Sequence, residues 1–298
     1  VDERFKSKEA EWLAPDHPLD YIGMDISIDN ERLYISMDSY IETTLQMLGW
    51  QHLKPVSTPI SKEIDEDSPP LSAVDRKLFM TAVGCIGWLV ITARPDIALA
   101  HSRVSQHMAS PTHAALNTAM QIIAYLKGTK DMSLSVPLNA PDQSLEEVVM
   151  GSDTPHYRRF YCDSDYAGNP SASNKRRSQY GAVSTCAGCP VAWFSKVMSV
   201  AFAHPDIGEA HADLSVAAPE IYAAANATVE FLHLSYILDE MGMEVPKPII
   251  LEMDNSAAEV FCNNTALKTR LKHIDVRQEW VRMLRNKWIV KPLHIGSK

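Results

Sequence analysis

The chain has 298 residues, 46% hydrophobic and 22% charged, enough to bury proper cores without disulfide or metal staples and to build one large or two ordinary domains. Its longest apolar run, residues 78–93, is interrupted by Thr81, Gly84, Gly87 and Thr92; it is shorter than the roughly 20 residues of a membrane span, so no membrane partner is expected. The net charge of −9 argues against nucleic acid only until it is divided, because acids and bases nearly balance from Arg158 onward and nine bases meet two acids from Lys268 onward, leaving a basic tail suited to a phosphodiester.

The charged start (Asp2, Glu3, Arg4, Lys6, Lys8, Glu9) has no signal-peptide pattern, and the first residue, Val1, suggests a piece of something longer. Residues 19–40 read as short alternating strands, with a turn at Asp29-Asn30 separating 21–28 from 32–37. Ile41, Leu45 and Leu48 have helical spacing over residues 39–49, and Gly49 ends that helix. Residues 51–70, with Pro55, Pro59, Pro69 and Pro70, form an extended connector. Ser72 and Asp75 start a helix over 72–93, Pro95 opens another over 95–109, and a third covers 112–126 before Gly128. The polar stretch 139–156 reads as a linker and divides the chain into domains 1–156 and 157–298.

In the second domain residues 159–166 are a strand candidate, and 179–185 with 191–194 form a hairpin closed by 186–190. A long helix follows over 217–241, then a strand over 248–253, helices over 256–263 and 272–286, and a last strand over 288–295. Hairpins followed by alternating β and α imply an α/β fold with a mixed sheet covered by helices. Five scattered cysteines make no disulfide framework, so a reducing, intracellular setting is expected. Cys186-Ala-Gly-Cys189 lacks the second pair a zinc site needs and opens no helix as a thioredoxin-like motif would; it reads as a plain turn.

Four acids carry the chemical signal. Asp163 ends an apolar strand, Glu220 lies near the start of an Ala-rich helix, Asp254 follows the strand Ile249–Met253, and Asp275 fronts the next helix. Strand ends and helix starts converge on one edge of an α/β sheet. Carboxylates gathered there repel and raise one another's pKa, and a divalent cation relieves the repulsion. Hard oxygen ligands suit Mg²⁺ or Mn²⁺ rather than zinc, and two such ions can clamp both oxygens of a phosphodiester. Taken singly, each acid is more often a helix or turn cap than a ligand.

Asp163-Ser164-Asp165-Tyr166-Ala167-Gly168 resembles the first-strand motif of ribonuclease H domains in copia-type LTR retrotransposons. Arg176-Arg177-Ser178-Gln179-Tyr180-Gly181 and Trp193-Phe194-Ser195-Lys196 are similar to the second and third strands, and Ala218-Pro219-Glu220-Ile221-Tyr222-Ala223 to the helix motif. Asp254-Asn255-Ser256-Ala257 and Lys272-His273-Ile274-Asp275-Val276-Arg277 complete the set. Upstream, Tyr21-Ile22-Gly23-Met24-Asp25-Ile26, Lys54–Pro59, Arg94-Pro95-Asp96-Ile97 and Tyr125–Thr129 resemble the end of the same family's reverse transcriptase and its connection region.

The resemblance implies a ribonuclease H-like five-stranded mixed sheet with flanking helices, preceded by a mostly helical connection subdomain with a small β-hairpin. It implies an endoribonuclease that cuts the RNA strand of RNA/DNA hybrids with two Mg²⁺ (or Mn²⁺) ions held by Asp163, Glu220, Asp254 and Asp275. Ser164 and Asn255 are placed to contact the RNA 2′-OH. Arg176, Arg177, Lys196, Lys268, Arg270 and Lys272 are candidates for phosphate contacts, and His273 for proton shuttling or product release. The expected partners are the hybrid and the polymerase part of the same polyprotein, in the cytoplasm, in virus-like particles or in transit to the nucleus. The family's aromatic-x-Asp-Asp polymerase motif is absent from the sequence. Residues 201–217 exceed the family's link between third strand and helix, and Ala218 stands where the family has an acid; Glu209 or Asp213 is then an alternative to Glu220. The competing reading is a catalytically silent nucleic-acid-binding or assembly module of the same fold.

Overall fold

The computed structural model describes residues 11–61, 63–138, 158–165, 177–186, 188–198, 212–242, 247–263 and 276–296. The chain divides into two compact units, Val1–Ala140 and Pro141–Lys298. The expected linker, 139–156, lies outside the described residues. Among the described residues no helix is long and apolar enough to cross a membrane.

The first unit carries an antiparallel sheet of four strands in chain order: β1 (Leu19–Tyr21), β2 (Met24–Ile28), β3 (Arg32–Ser36) and β4 (Leu134–Pro137). The stretch expected to be one strand over 21–28 reverses at Ile22 and Gly23, whose φ values are 55° and 78°. Two left-handed residues in succession match the twist of a two-residue hairpin, and Asp20 Oδ1 accepts the Gly23 N–H at 3.2 Å. The turn after β2 forms where expected: Asp29 Oδ1 accepts the N–H groups of Glu31 and Arg32 at 2.8 and 2.7 Å. No sequence pattern marks β4, because four residues ending in Pro137 are too few to show an alternation. The Arg32 guanidinium fastens it, donating to the Ser135 carbonyl at 2.9 Å.

Four helices, α1 (Asp38–Leu48), α2 (Ala73–Thr92), α3 (Ala98–Ser105) and α4 (His113–Gly128), bury Ile41, Leu45, Phe79, Ile86, Leu89, Val104, Ile122 and Leu126. The start of α2 follows its sequence signal: Ser72 Oγ accepts the Asp75 N–H at 3.1 Å and donates to Asp75 Oδ2 at 2.7 Å. The helix expected over 95–109 is a 3₁₀ turn, Pro95–Ile97, followed by the shorter α3. Arg94, only 1% exposed, precedes that proline. Its guanidinium grips both Asp96 oxygens at 2.9 and 2.8 Å and donates to the Thr129 carbonyl at 3.1 Å. One side chain therefore ties the end of α2, the 3₁₀ turn and the end of α4.

The second unit is a mixed sheet with helices. Its strands are β5 (Arg158–Ser164), β6 (Gln179–Cys186), β7 (Cys189–Val197), β8 (Ile249–Met253) and β9 (Val290–His294). They lie in the order β7-β6-β5-β8-β9. The first three strands form an antiparallel meander, whereas β5–β8 and β8–β9 are parallel. Strand β7 begins at Cys189, paired with Cys186, so the two strands continue into the stretch 186–190 that was expected to close the hairpin. Helices α5 (Ala212–Glu240), α6 (Ser256–Asn263) and α7 (Val276–Asn286) supply the rest of the core. Phe160, Cys162, Ala182, Leu251 and Met253 from the sheet meet Ile221, Ala224, Ala225, Ala227, Phe231, Ala258, Cys262, Val281 and Leu284 from the helices. The row of alanines lets the backbone of α5 approach the sheet closely, which brings Glu220 down to the strand ends. Helix α5 begins before the expected residue 217 and carries Pro219 inside it; a proline there removes one helical N–H bond, and the alanine packing on the sheet carries the helix through it.

Replacing Arg94 by Ala removes the cation from the Asp96 carboxylate, leaving it the Tyr125 hydroxyl, and takes a donor from the Thr129 carbonyl. The expected cost is about 3 kcal/mol, the lower end for breaking a buried pair by removing one partner. Urea unfolding followed by circular dichroism measures it; a loss below about 1 kcal/mol would show that water replaces the guanidinium.

Candidate metal centre

Parallel pairing of β5 with β8 aligns Phe160 with Leu251 and Tyr161 with Glu252. Two steps further along the same register lie Asp163 and Asp254, at the carboxyl ends of adjacent strands. Alternation along β5 puts Phe160 and Cys162 in the core under α5, and Ser164 shares their face. Glu220 descends from α5 onto this point. Its Oε1 accepts the Ser164 N–H at 3.2 Å and the Ser164 hydroxyl at 2.9 Å.

Asp163, Glu220 and Asp254 thereby each offer a carboxylate oxygen within 4.8 Å of the others. Asp163 and Asp254 are exposed, and Glu220 is buried at 5% exposure. At such separations two ionised carboxylates repel by roughly 3–4 kcal/mol at an effective dielectric of 20. Burial pushes the Glu220 carboxyl up to about 7, with Asp163 and Asp254 adding to the rise and the Ser164 hydroxyl opposing it. Asp163 is raised too, by desolvation first and by Asp254 second. Among the described residues Glu220 Oε2 has no hydrogen-bond partner although it is buried. A divalent cation answers both problems, supplying a partner for that oxygen and charge for the cluster.

The donor set is hard. Cys162 lies beside the carboxylates, but burial, reinforced by Glu220, drives its thiol pKa well up, so it stays protonated. Cys262 is likewise pushed up to about 12 by burial. Three carboxylates with protonated thiols behind them suit a cation of the Mg²⁺ type rather than zinc.

The remaining expected site residues fall in three groups. Asp275, the fourth acid, lies outside the described residues, as do Arg176, Lys268, Arg270, Lys272, His273 and the alternative Glu209; of Asp213 only the helical backbone is described. Ser164 and Asn255 are beside the carboxylates, but both hold structure there: Ser164 bonds Glu220, and Asn255 Oδ1 caps α6 by accepting the Ala258 N–H at 3.0 Å. Lys196 is on the surface, 3.6 Å from Glu230 and above the Phe194 ring, and Arg177 is half-buried just before β6. Asp165 is tied to the facing strand, its Oδ1 accepting the Gln179 N–H at 2.6 Å and its own N–H donating to the Gln179 carbonyl at 2.9 Å; the turn it was expected to cap lies outside the described residues. One neighbour carried no sequence signal. His294, brought opposite Met253 by the β8–β9 register, places Nε2 3.0 Å from the Asp254 carbonyl. Only strand pairing across 40 residues reveals it.

A five-stranded mixed sheet with a central strand that is antiparallel to one neighbour and parallel to the other, helices on the sheet, and acids at the strand ends defines a ribonuclease H-like α/β fold. The chain is 26% identical to the retrovirus-related Pol polyprotein from transposon TNT 1-94 of Nicotiana tabacum, over 98% of this chain and 20% of that one. It is 25% identical to the Pol polyprotein from transposon RE1 of Arabidopsis thaliana, over 100% of this chain and 18% of that one. Homologues over the whole chain are thus retrovirus-related Pol polyproteins of plant transposons, consistent with a copia-type Pol fragment. The chain spans about a fifth of their length. No family model matches it. Among solved structures, RNase H1 from the archaeon Halobacterium salinarum overlaps 47% of this chain and 85% of its own at 16% identity, with a TM-score of 0.27.

The raised Glu220 pKa sets the sign of a pH effect. The folded chain holds the proton between about 4.5, the ordinary value, and about 7, so this group's favourable contribution is complete below that window and is lost as pH rises through it. In chelator, Glu220→Gln should stabilise the chain relative to wild type at pH 8, by up to roughly 3 kcal/mol, and by little at pH 4. Thermal unfolding at both pH values reads the difference; equal effects at both would show that Glu220 titrates normally.

Proposed function

We propose that the second unit is a ribonuclease H that hydrolyses the RNA strand of RNA/DNA hybrids within a retrotransposon Pol polyprotein. The observation that carries this reading is the convergence of Asp163, Glu220 and Asp254 on one strand edge with a buried Glu220 oxygen left unpartnered among the described residues. Asp163, Glu220 and Asp254 are the proposed ligands, with Asp275 as the proposed fourth. These residues would hold two Mg²⁺ or Mn²⁺ ions. Such ions would supply activation of the attacking water and charge for the leaving 3′ oxygen, and the expected ends are 5′-phosphate and 3′-hydroxyl.

The chain's own residues supply the framework. The β5–β8 pairing holds two ligands at a set spacing, and α5 delivers the third from above the sheet. Burial of Glu220 keeps its carboxylate away from competing water. Arg176, Arg177, Lys196, Lys268, Arg270 and Lys272 are the proposed phosphate contacts, which would position the hybrid without reading its sequence. With the Ser164 hydroxyl given to Glu220, Asn255 is the proposed contact with the RNA sugar, and His273 is the proposed proton shuttle. The polymerase part of the polyprotein is the proposed partner of the first unit.

The test is cleavage of a hybrid labelled on both strands, with Mg²⁺, Mn²⁺ or chelator. Metal-dependent cutting of the RNA strand alone is expected, with Asp163→Asn slower by on the order of a thousand-fold, the equivalent of about 4 kcal/mol of lost charge stabilisation. A folded wild type that binds hybrid but cuts neither strand in either metal would replace the enzyme with a silent binding module.

A further inference from the structure

We propose that Ser164 is a positioning residue, whose hydroxyl and backbone N–H together select the Glu220 oxygen presented to the metal centre. The inference rests on the reading above that the three carboxylates hold a divalent cation.

Both Ser164 donors converge on one atom. The hydroxyl reaches Glu220 Oε1 at 2.9 Å and the N–H reaches the same oxygen at 3.2 Å. Oε2 receives no hydrogen bond from any described residue and is buried. The two oxygens of one carboxylate are therefore inequivalent before any ligand arrives: one is anchored to the strand and the other is left for a cation. A Glu carboxylate otherwise rotates broadly about its terminal torsion, and a ligand misplaced by such rotation costs affinity. Ser164 also follows Asp163 directly in β5. Alternation along the strand turns its side chain toward α5 while the preceding residue carries the neighbouring ligand. One dipeptide thus supplies a ligand to the centre and sets the orientation of a second ligand from a helix 56 residues away. The hydroxyl donates to Glu220 here, whereas a role in gripping the RNA 2′-OH would need it turned to the substrate.

Partners of metal-binding side chains commonly change affinity about tenfold or more when removed. The test is Mn²⁺ binding to the full chain, measured by electron paramagnetic resonance and titration calorimetry without substrate. Ser164→Ala should weaken Mn²⁺ about tenfold, and Ser164→Thr, which keeps the hydroxyl, should restore the wild-type value within about twofold. The double variant with Glu220→Gln should bind no worse than Glu220→Gln alone, because Ser164 acts through that carboxylate. In cleavage assays Ser164→Ala should raise the metal concentration for half-maximal rate and leave the KM for hybrid unchanged. Additive losses in the double variant, equal losses with Ala and Thr, or a raised hybrid KM at unchanged metal affinity would overturn the inference. Asp163→Asn separates it from the reading beneath. If that variant loses Mn²⁺ while Ser164→Ala does not, the positioning role alone fails; if it binds Mn²⁺ like wild type, the carboxylate centre fails and the positioning role with it.

Discussion

Parallel hydrogen bonding between β5 and β8 is the constraint on which the second unit depends. These strands are separated in sequence by two antiparallel strands and a 29-residue helix, so their pairing can form only when that whole intervening segment folds back over the sheet. Once Phe160 stands beside Leu251 and Tyr161 beside Glu252, the ends of the strands have no freedom left, and Asp163 and Asp254 must meet. The meander on one side of β5 and the α/β crossovers on the other hold this register from both edges. The alanine face of α5 then determines how deep the third carboxylate sits.

Two buried glutamates of the same unit differ in what satisfies them. Glu252 in β8 is 2% exposed, and both its oxygens are held by Arg159 at 2.8 and 2.9 Å. That pair is satisfied and asks for nothing else. Glu220 is buried nearly as deeply, yet its neighbours are two further acids, and one of its oxygens lacks a donor among the described residues. A buried carboxylate without a cation nearby is costly, and nothing in the packing of α5 requires an acid at that position. The first unit follows the satisfied pattern, with Arg94 matched to Asp96 and Thr129 at the junction of its helices.

Much of this was legible along the chain, for local reasons. Helical spacing, the Ser72 cap, the Asp29 turn and the proline after Arg94 are short-range signals, and the corresponding elements formed close to where they were read. Failures occurred where the backbone needs no distinctive residue. Ile22 takes a left-handed φ that β-branched residues rarely adopt, which split one expected strand into two. Strand β4 exists because β3 offers it an edge, and α5 continues through Pro219 because its packing outweighs one missing hydrogen bond. The motifs likewise pointed to Asp163, Glu220 and Asp254, but the long stretch 201–217 ahead of Glu220, part of which lies within α5, left Glu209 and Asp213 open as alternatives.

By itself the sequence determined residue chemistry and local conformation: four spaced acids, an α/β order of elements, and the motif series shared with copia-type Pol. Local conformation is governed by interactions within a few residues, which a linear pattern records. Only the tertiary structure decided that Glu220 joins Asp163 and Asp254, that Ser164 grips one Glu220 oxygen, that Asn255 serves as a helix cap, and that His294 stands beside Asp254. Each of these depends on strand register or helix depth, which are settled by the packing of residues dozens of positions apart. No spacing along the chain encodes which oxygen of a carboxylate is left without a partner.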